Sequence, residues 1–157
     1  MKAARKLTLG LAAPADAAPI AAMSRELIEA GLPWSWTPAR VARNLARPDT
    51  LVLTARDGAP LAGFAIMQFG DEQAHLSLLA VRADCWRQGI ARRMLEWLTA
   101  SALTAGITSI HLELRETNHG ARRFYLNQGF AETARIPGYY SGVETAVRMQ
   151  RNIRIKP

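Results

Sequence analysis

The sequence is poor in three features whose absence narrows its function: cysteines, long apolar runs and glycine-rich nucleotide motifs. Its one cysteine, Cys85, cannot form an internal disulfide, and no Cys and His residues have the spacing of metal ligands. We therefore expect neither a disulfide-stabilised secreted scaffold nor a metal site. No run approaches the roughly 18 apolar residues of a membrane span. Neither G-x-G-x-x-G nor G-x-x-x-x-G-K-[ST] occurs, so dinucleotide-binding and P-loop NTPase functions lose their main support.

The start of the chain only faintly imitates a secretory signal peptide. Basic residues precede the apolar run 7–13, but Gly10 interrupts this run and Pro14 ends it near the minimum length of a signal sequence. The same residues fit a first strand followed by a loop into a helix. We therefore expect a soluble, cytoplasmic protein with no membrane partner.

Length and composition favour one domain. The 157 residues, of which 49% are hydrophobic, are enough for one sizeable core, so we expect residues 1–157 to form a single domain. The formal net charge of +7 suggests an anionic partner, which could be nucleic acid, a ribosomal surface or a phosphorylated cofactor. Charge alone does not choose among these partners.

Helical and strand-like patterns alternate along the chain. Apolar residues at helical spacing predict helices at 18–30, 37–45, 92–105 and 120–128. Strands are predicted within 7–13 and at 50–55, 61–69, 75–81 and 109–114, followed by an extended chain from 129 to 149. This alternation predicts an α/β or α+β fold in which helices flank both faces of a mixed central sheet.

The first informative segment is a strand that leads through a loop into a helix. The strand ends at Leu79-Ala80-Val81, and Arg87-Gln88-Gly89-Ile90-Ala91-Arg92 opens the helix. A glycine at this junction lets the backbone approach a ligand, and the helix start offers N–H groups and the positive end of the helix dipole. The segment therefore suits phosphate binding, although an ordinary glycine-containing loop has the same pattern.

The second segment is the strand 110–115, which carries an acidic residue inside an apolar pattern. Strand alternation places His111, Glu113 and Arg115 on one face. Glu113 could simply pair with Arg115 or another cation. If it is partly buried, we expect its pKa to rise, which would make it a better proton acceptor near neutral pH. His111 is the next candidate for a base on the same face.

The third segment, 118–130, reads as a capped helix that ends at a glycine. Asn118 is well placed to cap this helix, which by itself would explain the residue. Phe124 and Tyr125 fit the usual role of core aromatics. Alone, this segment indicates structure rather than chemistry.

Two further features lie near the start of the chain. Trp34 and Trp36 fall between the first two predicted helices, where packing in the core or a lid is the commoner role and substrate contact the alternative. Arg40, Arg43 and Arg47 follow at helical spacing, and we interpret them as a solvated or ribosome-facing stripe.

Taken together, the three segments resemble the GNAT acetyltransferases. The pyrophosphate loop of that family, R/Q-x-x-G-x-G/A, is similar to 86–91, with Trp86 in place of Gln or Arg and Ala91 in the last position. The later signature of the family is N-x-x-A-x-x-x-Y-x-x-x-G-F. Its fixed positions are matched by Asn118, Ala121, Tyr125, Gly129 and Phe130.

Within that family, the chain most resembles the bacterial ribosomal-protein-alanine N-acetyltransferases (RimI type). The similarity rests on Pro33-Trp34-Ser35, on Leu112-Glu113-Leu114-Arg115, and on Tyr139-Tyr140 with the later Glu144 and Met149. The resemblance implies a GNAT fold, acetyl-CoA as co-substrate and acetylation of a protein N terminus, with a ribosomal-protein alanine as the specific acceptor.

The resemblance also implies roles for individual residues. Glu113 would be the base that deprotonates the amine through water, and Tyr125 the acid that protonates the departing thiolate. Trp34, Tyr139 and Tyr140 would wall the acceptor site, and no metal is needed. The residues implied to bind acetyl-CoA are Leu79, Ala80, Val81, Arg87, Gln88, Gly89, Ile90, Ala91, Arg92 and Asn118.

Two other functions remain open at this stage. A small-molecule amine acetyltransferase would use the same fold and cofactor, and the segment 138–144, which is shorter than in the ribosomal enzymes, favours it. A basic nucleic-acid-binding module without catalysis is suggested by the net charge and the arginine stripe. Since no helix offers convincing base-reading side chains, we expect no sequence-specific nucleic-acid partner.

Overall fold

The computed structural model describes residues 6–154; the first residues of the signal-like start lie outside this range. Its helices are α1 (Ala17–Leu27), α2 (Pro38–Leu45), α3 (Ile90–Thr104) and α4 (His119–Asn127). Its strands are β1 (Leu7–Leu11), β2 (Thr50–Asp57), β3 (Leu61–Phe69), β4 (Gln73–Val81), β5 (Ser109–Arg115), β6 (Ala131–Tyr140) and β7 (Glu144–Asn152). The predicted order of helices and strands is confirmed.

The strands form one mixed sheet in the order β1-β2-β3-β4-β5-β7-β6. β4 and β5 run parallel, whereas the pairs β1 with β2, β5 with β7 and β6 with β7 are antiparallel. The parallel pair is connected through α3, as parallel neighbours require a crossover. The extended chain predicted from 129 to 149 is a hairpin, because a turn at Ser141 and Gly142 with positive φ reverses it.

The chain divides into two compact units. The first unit comprises the chain up to Met67 together with Leu78–Trp97, and the second comprises Gln68–Ser77 together with the chain from Leu98 onwards. The single-domain organisation of residues 1–157 stays a prediction.

In the first unit, α1 and α2 cover an apolar core. Ile20 of α1, Val41 of α2 and Phe64 and Ile66 of β3 are completely buried in one cluster. Helix α2 begins where expected, because Pro38 cannot donate a backbone N–H and the Thr37 hydroxyl accepts a hydrogen bond from the Arg40 N–H at 3.3 Å.

In the second unit, β5 has the alternation that the sequence predicts. Ile110, Leu112 and Leu114 are buried on one face, which leaves the polar side chains on the other. Helix α4 buries Tyr125, and Phe130 packs against it just beyond the helix.

Within residues 6–154, none of the helices combines the length and the apolar character needed to cross a membrane.

Candidate active site

The segment between β4 and α3 has the geometry of an anion-binding loop. A short 3₁₀ turn at Ala83–Cys85 follows β4, and the backbone then takes positive φ at Arg87 (63°) and Gly89 (75°) before α3 begins at Ile90. The first helical hydrogen bond runs from the Arg93 N–H to the Gly89 carbonyl at 3.0 Å. The N–H groups before it have no carbonyl partner within the helix, as at any helix start.

The loop fits a pyrophosphate group. Positive φ suits Gly89, and a Cβ atom there would approach only the Arg92 guanidinium, at 3.7 Å, so the space beside the backbone is open. The side chains of Arg87, Gln88 and Arg92 are exposed, whereas Ile90 is buried and holds the helix against the core. Backbone N–H groups, a helix start and two cationic side chains together favour phosphate oxygens.

Trp86 anchors this loop to the strand before it. Its indole N–H donates a hydrogen bond of 2.7 Å to the carbonyl of Val81, while 61% of the residue stays exposed. The Val81 carbonyl is one of the backbone groups implied to contact the cofactor, and a carbonyl oxygen has a second lone pair. Trp86 therefore leaves that oxygen able to accept one more hydrogen bond.

The register of the sheet gathers a polar cluster around Glu113. Glu113 of β5 lies directly opposite Arg148 of β7, and one of its carboxylate oxygens is 3.7 Å from the guanidinium. The other oxygen lies 3.1 Å from Nε2 of His75 on β4. The Tyr139 hydroxyl donates to Glu113 at 3.1 Å. Only 8% of the Glu113 side chain is exposed.

The expectation that the pKa of Glu113 rises is wrong. Burial raises it and is the largest single influence, but the hydrogen bonds from His75 and Tyr139 and the charges of His75 and Arg148 together bring the pKa below its ordinary value. Glu113 is therefore a carboxylate throughout the neutral range. It attracts cations and protons, but the high proton affinity expected from burial alone is lost.

Two histidines accompany Glu113. His75 and His111 are partners in the parallel register of β4 and β5, and their rings stack with centroids 4.9 Å apart. Burial, and then the neighbouring His75, lower the pKa of His111, so its imidazole is neutral at pH 7. Nδ1 of His75 lies 3.4 Å from the Ser77 hydroxyl.

Sequence reasoning did not single out His75. The available signal was the alternation of β4, in which His75 and Ser77 are half-buried between the buried residues Ala74, Leu76 and Leu78. What could not be read from the sequence is that β4 pairs with β5 in a register that aligns His75 with His111.

Arg115 does not neutralise Glu113. Its guanidinium lies 2.9 Å from the carboxylate of Glu144 on β7. Of the two pairings that the sequence left open for Glu113, the one with Arg115 is therefore wrong, and the one with another cation is confirmed by Arg148.

Helix α4 positions Asn118 and Tyr125. The Asn118 side chain accepts a hydrogen bond from the Ala121 N–H at 3.1 Å, so the predicted cap is present. Tyr125 packs edge-on against Phe124 and Phe130 at centroid distances of 5.1 and 5.3 Å. Burial raises the pKa of Tyr125, so its phenol keeps its proton at any physiological pH. Contact of Asn118 with a cofactor stays a prediction.

The residues assigned to the acceptor walls fall in both units. Tyr139 and Tyr140 lie at the end of β6, with their rings edge-to-face at 4.9 Å, and Tyr139 reaches Glu113 within the second unit. Trp34 belongs to the first unit, where its indole N–H donates to the Ala21 carbonyl at 3.3 Å and the Arg25 guanidinium lies 5.0 Å from its ring centre.

The three arginines predicted to form one solvated stripe lie in different environments. Helix α2 ends at Leu45, so Arg47 lies beyond it and pairs with Asp49 at 3.3 Å. The Arg40 guanidinium stacks over the ring of the buried Trp36, 3.8 Å from its centre. Of the three arginines, Arg43 is exposed on the helix as expected.

Among the His, Cys, Asp and Glu side chains of residues 6–154, no three lie together in a group that could hold a metal ion.

Comparison with known proteins identifies a family and several similar proteins. A family model described as the acetyltransferase (GNAT) family matches residues 21–130. The [ribosomal protein bS18]-alanine N-acetyltransferase of Salmonella typhimurium is 37% identical over 102 residues, which are 63% of this chain and 68% of that protein. An uncharacterized N-acetyltransferase of Mycobacterium tuberculosis is 30% identical over 124 residues, 78% of this chain and 76% of that one.

The fold has counterparts among solved structures. The crystal structure of the ribosomal-protein-S18-alanine N-acetyltransferase from Escherichia coli superposes with a TM-score of 0.83 at 27% identity, over 97% of both chains. A Salmonella typhimurium acetyltransferase solved with acetyl-CoA has a TM-score of 0.77 at 21% identity over 96% of this chain and 95% of that one, which shows a shared fold.

Proposed function

The chain belongs to the acetyltransferase (GNAT) family and is an acetyl-CoA-dependent N-acetyltransferase, and from this premise we propose that its acceptor is the N-terminal α-amine of a protein. The specific substrate we propose is the N-terminal alanine of a ribosomal protein. Support comes from the relatives that are named for this reaction on bS18, at 36 and 37% identity. Such a substrate would place the reaction in the cytoplasm.

The observation that carries the proposal is the Glu113 cluster. A nearly buried carboxylate, ionised at neutral pH and touched by an exposed tyrosine, offers a site for one ammonium group. An ammonium that binds beside this carboxylate exchanges its hydration for a charge-assisted contact. Tyr139 and Tyr140 then supply apolar and hydrogen-bonding surface for the residue that carries the amine.

We propose that Glu113 receives the proton of the ammonium, through water, before the amine attacks. The α-amine has a pKa of about 8, so at neutral pH it is closer to losing its proton than a lysine side chain near 10.4. Because the pKa of Glu113 is low, the carboxylate does not hold this proton strongly. His75, at 3.1 Å, donates to the carboxylate and so helps to keep it ionised and ready for this proton.

Acetyl-CoA supplies the acetyl group as a thioester, and its thiol departs when the amide forms. We assign its pyrophosphate to the N–H groups and cations of 87–92, and its pantetheine arm to the backbone of Leu79, Ala80 and Val81. Tyr125 is the proposed acid that returns a proton to the thiolate. Burial keeps this phenol protonated at neutral pH but also makes it a weaker acid than a free tyrosine, so proton transfer to a thiolate, whose thiol has a pKa of about 8.5, depends on close positioning of the hydroxyl.

A small-molecule amine is the second candidate acceptor. The turn between β6 and β7 is short, with Gly142 N–H donating to the Gly138 carbonyl at 3.0 Å. A short turn leaves little chain to grip a peptide beyond its first residues. The third possibility, a non-catalytic nucleic-acid module, has less support because Arg40 stacks on Trp36 and Arg47 pairs with Asp49.

Acceptor competition tests the proposal. Three acceptors are offered with acetyl-CoA: a peptide with N-terminal alanine, the same peptide N-acetylated and carrying one lysine, and a polyamine. We expect kcat/KM to favour the α-amine over lysine by roughly 10²-fold near neutral pH, because the α-amine has that much more neutral form. A preference for the polyamine, measured by CoA release and mass spectrometry, would replace the protein substrate with a small molecule.

A further inference from the structure

Glu29 is a buried carboxylate that no step of the proposed reaction uses. It lies two residues after α1 and is 6% exposed. The hydrogen bonds it accepts come from neutral groups: the Ser24 hydroxyl at 2.9 Å, the Ser35 N–H at 2.7 Å, the Ser35 hydroxyl at 2.6 Å and the Trp36 N–H at 3.2 Å. Its partners thus come from α1 on one side and from the loop between α1 and α2 on the other.

These contacts make the ionised form of Glu29 the stable one. Burial alone would raise its pKa, but the hydrogen bonds from Ser35, Ser24 and Trp36 together lower the pKa below its ordinary value. Charge-assisted hydrogen bonds are shorter and stronger than neutral ones, and the distances to Ser35 fit that class. One carboxylate therefore fixes two consecutive backbone N–H groups of the loop.

The fixed backbone carries the aromatic residues of the loop. Trp34 precedes Ser35 directly, and its indole N–H is bound to the Ala21 carbonyl of α1. Trp36 follows Ser35, buried under the Arg40 guanidinium. A loop that was held only by its aromatic side chains could still rotate its peptide planes, and the Glu29 carboxylate removes that freedom at Ser35 and Trp36.

We propose that Glu29 is a positioning residue for acceptor binding: it holds the Trp34–Trp36 loop in one conformation, so that Trp34 is preorganised to contact the acceptor. The inference rests on the proposed function and on the family resemblance, which implies that Trp34 contacts the acceptor. A preorganised wall lowers the entropy lost on binding and leaves the reacting groups themselves unchanged. Glu29 therefore acts on the KM of the acceptor, and neither on kcat nor on acetyl-CoA.

The test compares Glu29→Gln with Glu26→Gln, an exposed glutamate of α1 that serves as the matched control. Gln keeps the shape of the side chain but loses the charge and one acceptor oxygen. We expect Glu29→Gln to raise the KM of the acceptor by about tenfold, with kcat and the KM of acetyl-CoA within about threefold of wild type. Hydrogen exchange should accelerate at the amides of Ser35 and Trp36, and Glu26→Gln should change none of these quantities.

A milder variant keeps the test informative if Glu29→Gln folds poorly. Ser35→Ala removes one hydroxyl donor and leaves the carboxylate and both N–H contacts, so it should raise the acceptor KM by a smaller factor in a fully folded protein. Faster exchange at Ser35 and Trp36 with an unchanged acceptor KM would overturn the proposal. A parallel loss of kcat and of acetyl-CoA affinity would show a purely structural role and overturn it as well.

The two proposals can fail separately. If the wild-type enzyme acetylates a small amine instead of the peptides, the protein substrate is wrong, and the KM of that amine is then measured with the same variants. A rise of that KM in Glu29→Gln supports the positioning role, and an unchanged KM contradicts it.

Discussion

Glu113 shows how a buried acid can remain ionised. Its burial would by itself favour the protonated form, but His75, Tyr139 and Arg148 offset that cost with hydrogen bonds and charge. A low pKa makes the carboxylate a strong binder of an ammonium group and a weak holder of its proton. The residue therefore assists proton removal by position, and its pH dependence differs from that of a base with a raised pKa.

The substitution Glu113→Gln tests whether the ionised carboxylate assists removal of the proton from the amine. Because the carboxylate of the wild type is ionised above its lowered pKa, its availability is constant across the neutral range, and the rise of kcat/KM with pH follows the amine near pKa 8. We expect kcat to fall by roughly 10²-fold near pH 7, with the deficit narrowing as pH rises and free amine becomes available. Steady-state rates from pH 6 to 9.5 measure this.

Glu116→Gln is a suitable control for that experiment, since Glu116 follows β5 and pairs with Arg135, and neither residue is a partner of Glu113. If Glu113→Gln kept the wild-type dependence of kcat/KM on pH, the base would have to be another residue. His111, neutral at pH 7 and stacked on His75, is the next candidate.

The substitution Tyr125→Phe distinguishes a catalytic role of this residue from a packing role. Tyr125→Phe keeps the ring contacts with Phe124 and Phe130 and removes only the hydroxyl. If the phenol is the acid, kcat falls by about 10²-fold while the Kd of acetyl-CoA stays within a few fold. Full activity in a variant with the wild-type melting temperature would reduce Tyr125 to a core aromatic.

At the scale of helices and strands, the sequence predicts correctly those features that depend on the pattern of neighbouring residues. Alternation placed His111 and Glu113 on one face of β5, and Asn118 was correctly predicted to cap a helix. The pairing of β4 with β5 depends on contacts between distant residues, and for that reason His75 was missed. Likewise, the pKa of Glu113 was predicted with the wrong sign because its partners come from β4, β6 and β7.

Gly63 shows a requirement of the sheet that no local pattern indicates. A Cβ atom on this β3 residue would lie 2.8 Å from the Ala80 carbonyl oxygen and 3.1 Å from the Met94 side chain. Gly63→Ala should therefore push β3 away from β4 and lower the free energy of unfolding by about 1–3 kcal/mol. The displaced Ala80 and Val81 are implied cofactor contacts, so acetyl-CoA affinity should fall too.

Gly10→Ala is the matched control for this substitution. Gly10 also lies in a strand, β1, but a Cβ atom there meets nothing within 4 Å. Urea denaturation of both variants compares them directly. Equal stability of Gly63→Ala and Gly10→Ala would contradict the close approach of β3 to Ala80.

At the scale of the whole molecule, the surplus positive charge fits the co-substrate without invoking nucleic acid. A net charge of +7 includes Arg87 and Arg92, two exposed cations of the loop to which we assign the pyrophosphate. The fold and the cofactor follow from motifs that are local in the sequence, Gly89 and the segment from Asn118 to Phe130. The polar cluster around Glu113 depends on side chains from β4, β5, β6 and β7, whose pairing the sequence cannot give by itself.

Acetyl-CoA should therefore stabilise the protein more than other nucleotides do. A ligand that binds only the folded state at 100 times its Kd adds about 2.7 kcal/mol to the free energy of unfolding, which is a rise in Tm of roughly 5–10 °C for a chain of this size. ATP and NAD lack the pantetheine arm and should give smaller shifts in the same thermal scan. A shift from ATP or NAD as large as that from acetyl-CoA would remove the assignment of the loop to this cofactor.

Two glycine variants test whether the rise in Tm given by acetyl-CoA depends on the loop between β4 and α3. Gly89→Glu places a carboxylate where the pyrophosphate is expected, so charge repulsion and crowding should abolish the shift given by acetyl-CoA. Gly58→Glu is the control, because Gly58 also has positive φ but lies in the turn between β2 and β3 with open space around it. Both variants carry backbone strain and should melt below wild type without ligand. The Gly58→Glu protein should keep the full shift, and an undiminished shift in Gly89→Glu would place the cofactor elsewhere on the molecule.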